Sequence, residues 1–226
     1  LGNFNTLQRE TGVPNSAHFL SVAGAFNYGE AAAVRVPPGA VEGNSIEDHS
    51  QYIIDNLESM VEDRAGTLVL FSSKRQMEQV YDELPNHLAK IILIQGQYSN
   101  REMVRLHKER IDQGKTSVLL GLASFAEGVD LPGDYCKHVV IAKLPFAVPD
   151  DPLHEALSEW IEARGGNSFF DISLPIASLR LIQACGRLLR TESDTGTVSI
   201  LDKRLITKRY GTQLLDALPP FRRELG

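Results

Sequence analysis

Five short apolar runs, separated by stretches of helical periodicity, most restrict the folds open to this chain. Thr67–Phe71, Ile91–Ile94, Thr116–Leu120, His138–Leu144 and Thr197–Leu201 are strand-length segments with little polar alternation. That is the pattern of strands buried on both faces. Between them, apolar residues recur at intervals of three and four. Ile46, Ile53, Leu57, Met60 and Val61 precede Gly66, where a helix is expected to stop. Ser73 with Gln76, and Ser99 with Glu102, read as capping boxes opening two further helices. Met77, Val80, Tyr81 and Leu84 face inward on the first; Met103, Leu106 and Ile111 do so on the second, which ends at Gly114. Asp151–Pro152 opens a helix carrying Leu153, Leu157, Trp160 and Ile161 as far as Gly165–Gly166, Pro175 opens another through Leu189, and 205–218 reads as a last one. Buried strands alternating with amphipathic helices predict an α/β fold, a doubly wound parallel sheet with helices on both faces. Such sheets bind ligands at the carboxyl ends of their strands, so the loops after Phe71, Leu120 and Leu201 are the places to look.

Residues 1–44 lack this order. They are rich in Gly, Asn and Pro, with one strand candidate at Val34 to Val36, and read as an extended segment joining an upstream domain; 45–226 form the sheet-bearing domain. Two cysteines, Cys136 and Cys185, are too few for a tetrahedral zinc site or a four-thiolate cluster, and are expected as reduced thiols or one disulfide. No metal site is expected in this chain. No apolar stretch approaches the length needed to span a bilayer. The net charge of −6 is unevenly spread: residues 180–226 carry +4 and residues 1–179 carry −10. Nucleic acid, if bound, must then be held by placed donors as well as by bulk charge.

Several chemical motifs fail on inspection. Gly114-Lys115-Thr116 resembles the end of a phosphate-binding loop, but Glu109 stands where that loop needs glycine. His154-Glu155 lacks the second histidine of a zinc-protease helix, whose place Ser158 takes. What survives is Gln183-Ala-Cys-Gly186-Arg187-Leu-Leu-Arg190. Spacings of four and three put Gln183, Arg187 and Arg190 on one helical face, with Leu181 and Leu188 opposite. Two guanidinium groups and an amide on one face suit a phosphate chain; a solvated basic face is the alternative. Ahead of it, Gly121-Leu-Ala-Ser124-Phe-Ala-Glu127-Gly128-Val-Asp130 follows a buried strand, where Gly128 permits close approach or unusual dihedrals and Asp130 can accept from a ribose or an arginine. Phe71-Ser72-Ser73 ends a strand at a helix start, where Ser73 serves as an N-cap, a phosphate contact, or both.

Taken in order, FSS, GLASFAEGVD, QACGRLLR and LDKR resemble motifs IV, V and VI of superfamily 2 helicases. The phrases SFAEGVDLPGD, QACGRLLR, LDKR and RYGTQLLDALPPF are similar to the DinG/YoaA family, the XPD-like iron–sulfur DNA helicases, over most of the chain. The resemblance implies the second RecA-like motor domain of an ATP-dependent 5′–3′ DNA helicase, acting in the cytoplasm in DNA repair and replication. It assigns Arg190 as the arginine finger, with Arg187 and Gln183 on the phosphates or the domain interface. Glu127, Gly128, Asp130 and Gly186 would order the nucleotide, and Ser73, Ser124, Lys203 and Arg204 the DNA backbone. ATP and Mg2+ would be shared with a first motor domain, and the iron–sulfur cluster would lie upstream. Single-stranded or forked DNA, that upstream motor domain and a clamp-loader subunit are the implied partners, with no membrane. Alone, the chain is expected to be inactive. A catalytically idle docking module and an RNA helicase domain remain as alternative readings.

Overall fold

The computed structural model describes residues 26–146 and 152–226 without interruption, and outside them Phe4, Gln8, 11–14, 16–20 and Val22. A short helix α1 (Tyr28–Ala31) leads into strand β1 (Ala32–Val36). Then follow α2 (Ile46–Asn56) with a 3-10 turn (Leu57–Met60), β2 (Gly66–Phe71), α3 (Lys74–Glu83), α4 (Asn86–Ala89) and β3 (Ile92–Ile94). The chain continues through α5 (Asn100–Asp112), β4 (Ser117–Leu122), α6 (Ala123–Glu127), β5 (His138–Ile141), α7 (Pro152–Glu162) and a π-turn (Phe169–Ser173). It closes with α8 (Leu174–Cys185), β6 (Gly196–Ile200), α9 (Arg204–Thr207), α10 (Arg209–Ala217) and β7 (Arg222–Leu225).

The strands form one seven-stranded sheet in the order β3-β4-β2-β5-β6-β1-β7, and every pairing is parallel. Register places Leu119, Leu68, Val139, Val198 and Val34 in one row across it. Because side chains alternate along each strand, that row and its i+2 neighbours face one helical layer, with Met103, Phe125, Leu181 and Leu214. The intervening residues, among them Val69, Phe71, Leu120 and Val140, face Ile53, Leu57, Met77 and Val80 from α2, the 3-10 turn after it and α3. The doubly wound sheet read from the sequence is therefore present. Its helices start where expected: the hydroxyls of Ser73 and Ser99 accept from the backbone N–H of Gln76 and Glu102, and Ser45 does the same for Asp48.

The structure corrects four boundaries. Gly66 does not stop a helix; it is the first residue of β2, and the carbonyl of Tyr135 lies where a Cβ would stand. Gly114, by contrast, does follow its helix, at φ +71° in the left-handed region. The helix expected from Pro175 through Leu189 ends at Cys185, where the bonding shortens: Arg187 N–H reaches Ala184 and Leu188 N–H reaches Cys185. The expected 205–218 helix breaks at Lys208, which is extended, and Gly211 lies against the Leu205 carbonyl. Lastly, the candidate strand at Val34 to Val36 is a full member of the sheet between β6 and β7, so the segment read as a connector supplies a strand. Asp151 and the Leu153 side chain lie outside the described residues.

Candidate functional site

Parallel strands place all their carboxyl ends at one edge, and there β2, β4 and β5 open into a cleft of about 290 Å3. Ser72, Ser124, Glu127, Gln183 and Arg187 line it, with Pro145 and Phe146 on the side of β5. Residues read from three separate sequence motifs thus meet in one place. The expected loop that carries Ser124 and Glu127 is in part a single helical turn, α6. Gly121 before it is crowded by the Phe125 ring, 2.5 Å from where a Cβ would sit. Gly128 has an ordinary φ of −97°, and a Cβ there would meet no atom of the described residues within 4 Å. No described neighbour therefore requires glycine there. Gly186 likewise adopts right-handed helical dihedrals at the end of α8.

Arg187 and Arg190 stand beyond that helix end rather than on its face, yet they still converge. Arg187 Nη1 and Arg190 Nη2 each donate to the carbonyl oxygen of Val129 at 3.2 Å. Arg190 Nε also lies 3.4 Å from Asp130 Oδ1, whose side chain is largely exposed. Arg187 Nε is buried without a hydrogen-bond partner among the described residues. Burial, and then the charge of Arg190, lower the Arg187 pKa from its ordinary value. A guanidinium that is desolvated, crowded by a like charge and incompletely bonded is set up for an anion.

Asp194 holds this arrangement and was not singled out from sequence. Its carboxylate accepts from the backbone N–H of Arg190 (2.8 Å), from Thr191 N–H and Oγ1 (2.9 and 2.6 Å), and from Gly133 N–H (3.1 Å). Burial by itself pushes its pKa up, but these bonds bring it below the usual carboxylate value. The signal was there to find, since T-x-x-D directly follows Arg190. Arg180 was missed as well. It lines the cleft one turn before Gln183 on α8, an i, i+3 neighbour on the face already identified.

Ser73, Lys203 and Arg204 do not line the cleft, whereas Ser124 does. Ser73 is half-buried at the start of α3, its hydroxyl accepting from Gln76 N–H. Ser124 is exposed. Lys203 is exposed, while Arg204 is held by Asp202 at 2.6 Å. Burial pushes the Asp202 carboxyl up, and Arg204 more than reverses this. Asp202 also accepts from Leu144 N–H at 3.1 Å, tying the ends of β5 and β6 together. Cys136 and Cys185 are buried free thiols, with pKa pushed up to about 12 by burial. They do not fit the thiolate ligation that an iron–sulfur cluster needs. No described helix is long and apolar enough to cross a membrane.

An all-parallel doubly wound sheet of this kind is a RecA-like α/β fold. The chain belongs to the helicase C-terminal domain family, whose profile matches residues 57–221. It is 43% identical to the ATP-dependent DNA helicase DinG of Photobacterium profundum, over 99% of this chain and 33% of that protein. It is 40% identical to the ATP-dependent DNA helicase DinG of Escherichia coli (strain K12), over 98% of this chain and 32% of that protein. The chain thus spans about a third of the length of these relatives. Among solved structures, an XPD helicase superposes with a TM-score of 0.64 at 21% identity, over 87% of this chain and 36% of that one. Dbp5 of S. cerevisiae bound to RNA and ADP BeF3 gives 0.54 at 15%, over 97% of this chain and 48% of that one. Both share the fold.

Proposed function

We propose that this domain is the second motor domain of an ATP-dependent 5′–3′ DNA helicase of repair and replication. In this reading it completes, from across a cleft, a nucleotide site carried by a first motor domain upstream. The buried Nε of Arg187 beside Arg190, without a hydrogen-bond partner among the described residues, is the observation that carries it. Bound ATP supplies the phosphoryl group whose transfer to water drives the motor. Arg190 is the finger that neutralises charge developing on that group. Arg187 and Gln183 hold the phosphates, Gly128 and Gly186 leave room for them, and Asp130 and Glu127 order the loop. The same residues fit Mg2+-bound polyphosphate, with the metal held from the upstream domain, where an iron–sulfur cluster would also lie. Ser73, Ser124, Lys203 and Arg204 contact the backbone of single-stranded or forked DNA. Closing and opening of the cleft would alternate these contacts along the strand. A cytoplasmic setting and a clamp-loader subunit as partner belong to the same reading.

Arg190→Ala is the direct test, made in the protein that carries both motor domains. A finger acts mainly in the transition state, so DNA-stimulated turnover should fall by about 10³–10⁵, with little change in ATP affinity. Arg190→Lys keeps the charge but not the two-pronged geometry, and should rescue little. Near-normal turnover of Arg190→Ala sinks the assignment; DNA-independent but RNA-stimulated turnover of the parent sinks the choice of nucleic acid.

A further inference from the structure

We infer that the cleft also seats one nucleotide of the bound single strand, with its phosphate at Arg180 and its base against Phe146. This rests on the motor-domain reading, and names a subsite within it. Arg180 and Arg187 reach the cleft from opposite ends of one segment. Arg187 is held by the carbonyl of Val129, whereas among the described residues Arg180 Nη1 makes a long 3.4 Å bond to the carbonyl of Pro145. Arg180 is exposed, and it has no carboxylate partner among the described residues. The described cleft lining contains a single carboxylate, Glu127, against these two guanidinium groups. The Arg180 end therefore carries positive charge that no described carboxylate neutralises.

The wall beside Arg180 is aromatic. Phe146 follows Pro145 directly and is half-buried, so part of its ring faces the cleft. Its back is fixed by Phe169 (centroids 5.5 Å apart) and by Tyr210 (5.6 Å, 87° between planes), with the Arg204 guanidinium 5.8 Å from the ring. A ring braced on three sides loses little freedom when a base packs against it. Ser72 and Ser124 line the same cleft and can donate hydroxyls to a phosphate. A placed cation, an aromatic wall and hydroxyl donors are what a sequence-independent single-strand site is made of. At about 290 Å3 the cleft is at the small end of ligand pockets, which suits one nucleotide unit rather than a duplex. Arg180 and Gln183 on one helix would then report strand occupancy to the segment bearing Arg187 and Arg190.

The test measures binding of labelled oligo-dT and oligo-U to the two-motor protein over a series of salt concentrations. Arg180→Ala should raise Kd about fivefold and reduce the slope of log K against log salt by about 0.7, the share of one phosphate on a single strand. Arg180→Lys should keep most of the slope. Phe146→Leu removes no charge, so it should raise Kd about tenfold while leaving the slope as it was. Thermal melts of each variant separate lost contacts from lost fold. The oligo-dT and oligo-U arms show which strand the cleft takes. Unchanged Kd and slope in a folded Arg180→Ala, or a raised ATP KM with strand binding intact, overturns the subsite. Arg190→Ala tests the motor reading itself, so the two can fail separately.

Discussion

Arg187 and Arg190 share one acceptor, the carbonyl oxygen of Val129, each at 3.2 Å. Two like charges are thereby drawn to a point that only a partial negative charge occupies. Asp130 compensates Arg190 at 3.4 Å, but its side chain is 75% exposed, so solvent screens the pair. Such an arrangement does little for the stability of the free domain and is suited to a polyanion.

It follows that Arg187 should be dispensable for folding. Arg187→Met fills similar volume, removes a desolvated charge and leaves Arg190 its carbonyl. Replacing a buried charge in this way is often neutral or stabilising, by about 1 kcal/mol. In the two-motor protein the same change should lower DNA-stimulated turnover by about a hundredfold, the usual effect of losing one preorganised donor. Melting curves and steady-state ATPase read the two effects side by side. A marked fall in melting temperature would show that Arg187 is there for the fold.

Asp194 should behave in the opposite way. Four donors, one of them the Arg190 backbone, converge on its carboxylate. Asp194→Ala leaves these donors short of an acceptor in a site where Asp194 is 3% exposed, at a cost of about 2–3 kcal/mol. Because the Arg190 backbone then loses its anchor, turnover should drop while ATP KM changes little. Asp194→Asn keeps one acceptor oxygen and should recover part of both. A variant that melts early yet turns over normally would make Asp194 purely structural.

Ser73 and Ser124 can be separated by a double readout. Ser73 caps α3, so Ser73→Ala should cost about 1 kcal/mol of stability, as well as weakening strand binding. Ser124 is exposed in the cleft and carries no cap, so Ser124→Ala should weaken binding alone. Each loss is about one phosphate contact, a few-fold in Kd and similar for every DNA sequence. Strong dependence on sequence, measured by competition with different oligonucleotides, would rule out backbone contacts.

Much of this was legible in the sequence, for identifiable reasons. β2, β4 and β5 are buried on both faces and so appear as unbroken apolar runs. Hydroxyl caps marked the starts of α3 and α5. β7 was invisible because Arg222–Leu225 is exposed at the sheet edge and carries charge instead of a pattern; only backbone pairing with β1 defines it. The end of α8 was overrun because Leu188 and Leu189 continue the apolar period through 3-10 turns. That error moved Arg187 and Arg190 off the helix without moving them apart. Gly66 misled because a glycine required by a neighbouring carbonyl looks the same in sequence as one ending a helix. The Asp194 bond to Gly133 and the Arg180 bond to Pro145 needed the fold, since these partners lie in the loops before and after β5.

Acid should unfold the domain through its histidines before its carboxylates. His107 is wholly buried between Ser117 Oγ (2.9 Å) and the Tyr135 carbonyl (2.8 Å), and burial lowers its pKa from 6.5 to about 4. His138, buried against Ser199 Oγ at 2.7 Å, is lowered to about 4 as well, by burial and then by Arg35. Between pH 4 and 6.5 the unfolded chain therefore binds protons that the folded chain refuses. Stability is whole above about pH 6.5 and falls as the pH drops towards about 4, by roughly 2 kcal/mol per histidine at about pH 5. Asp194 and Asp202 have lowered pKa values, so their contributions are lost only as the pH falls further through the carboxylate range. Urea unfolding at pH 7, 6 and 5 measures the decline directly. His107→Gln retains a donor and an acceptor but cannot titrate, so its curve should be flatter than that of the parent over this window. A parent whose stability is level from pH 7 to 5, or a His107→Gln variant with an equal slope, would show that these imidazoles titrate as freely in the folded domain as in the unfolded chain.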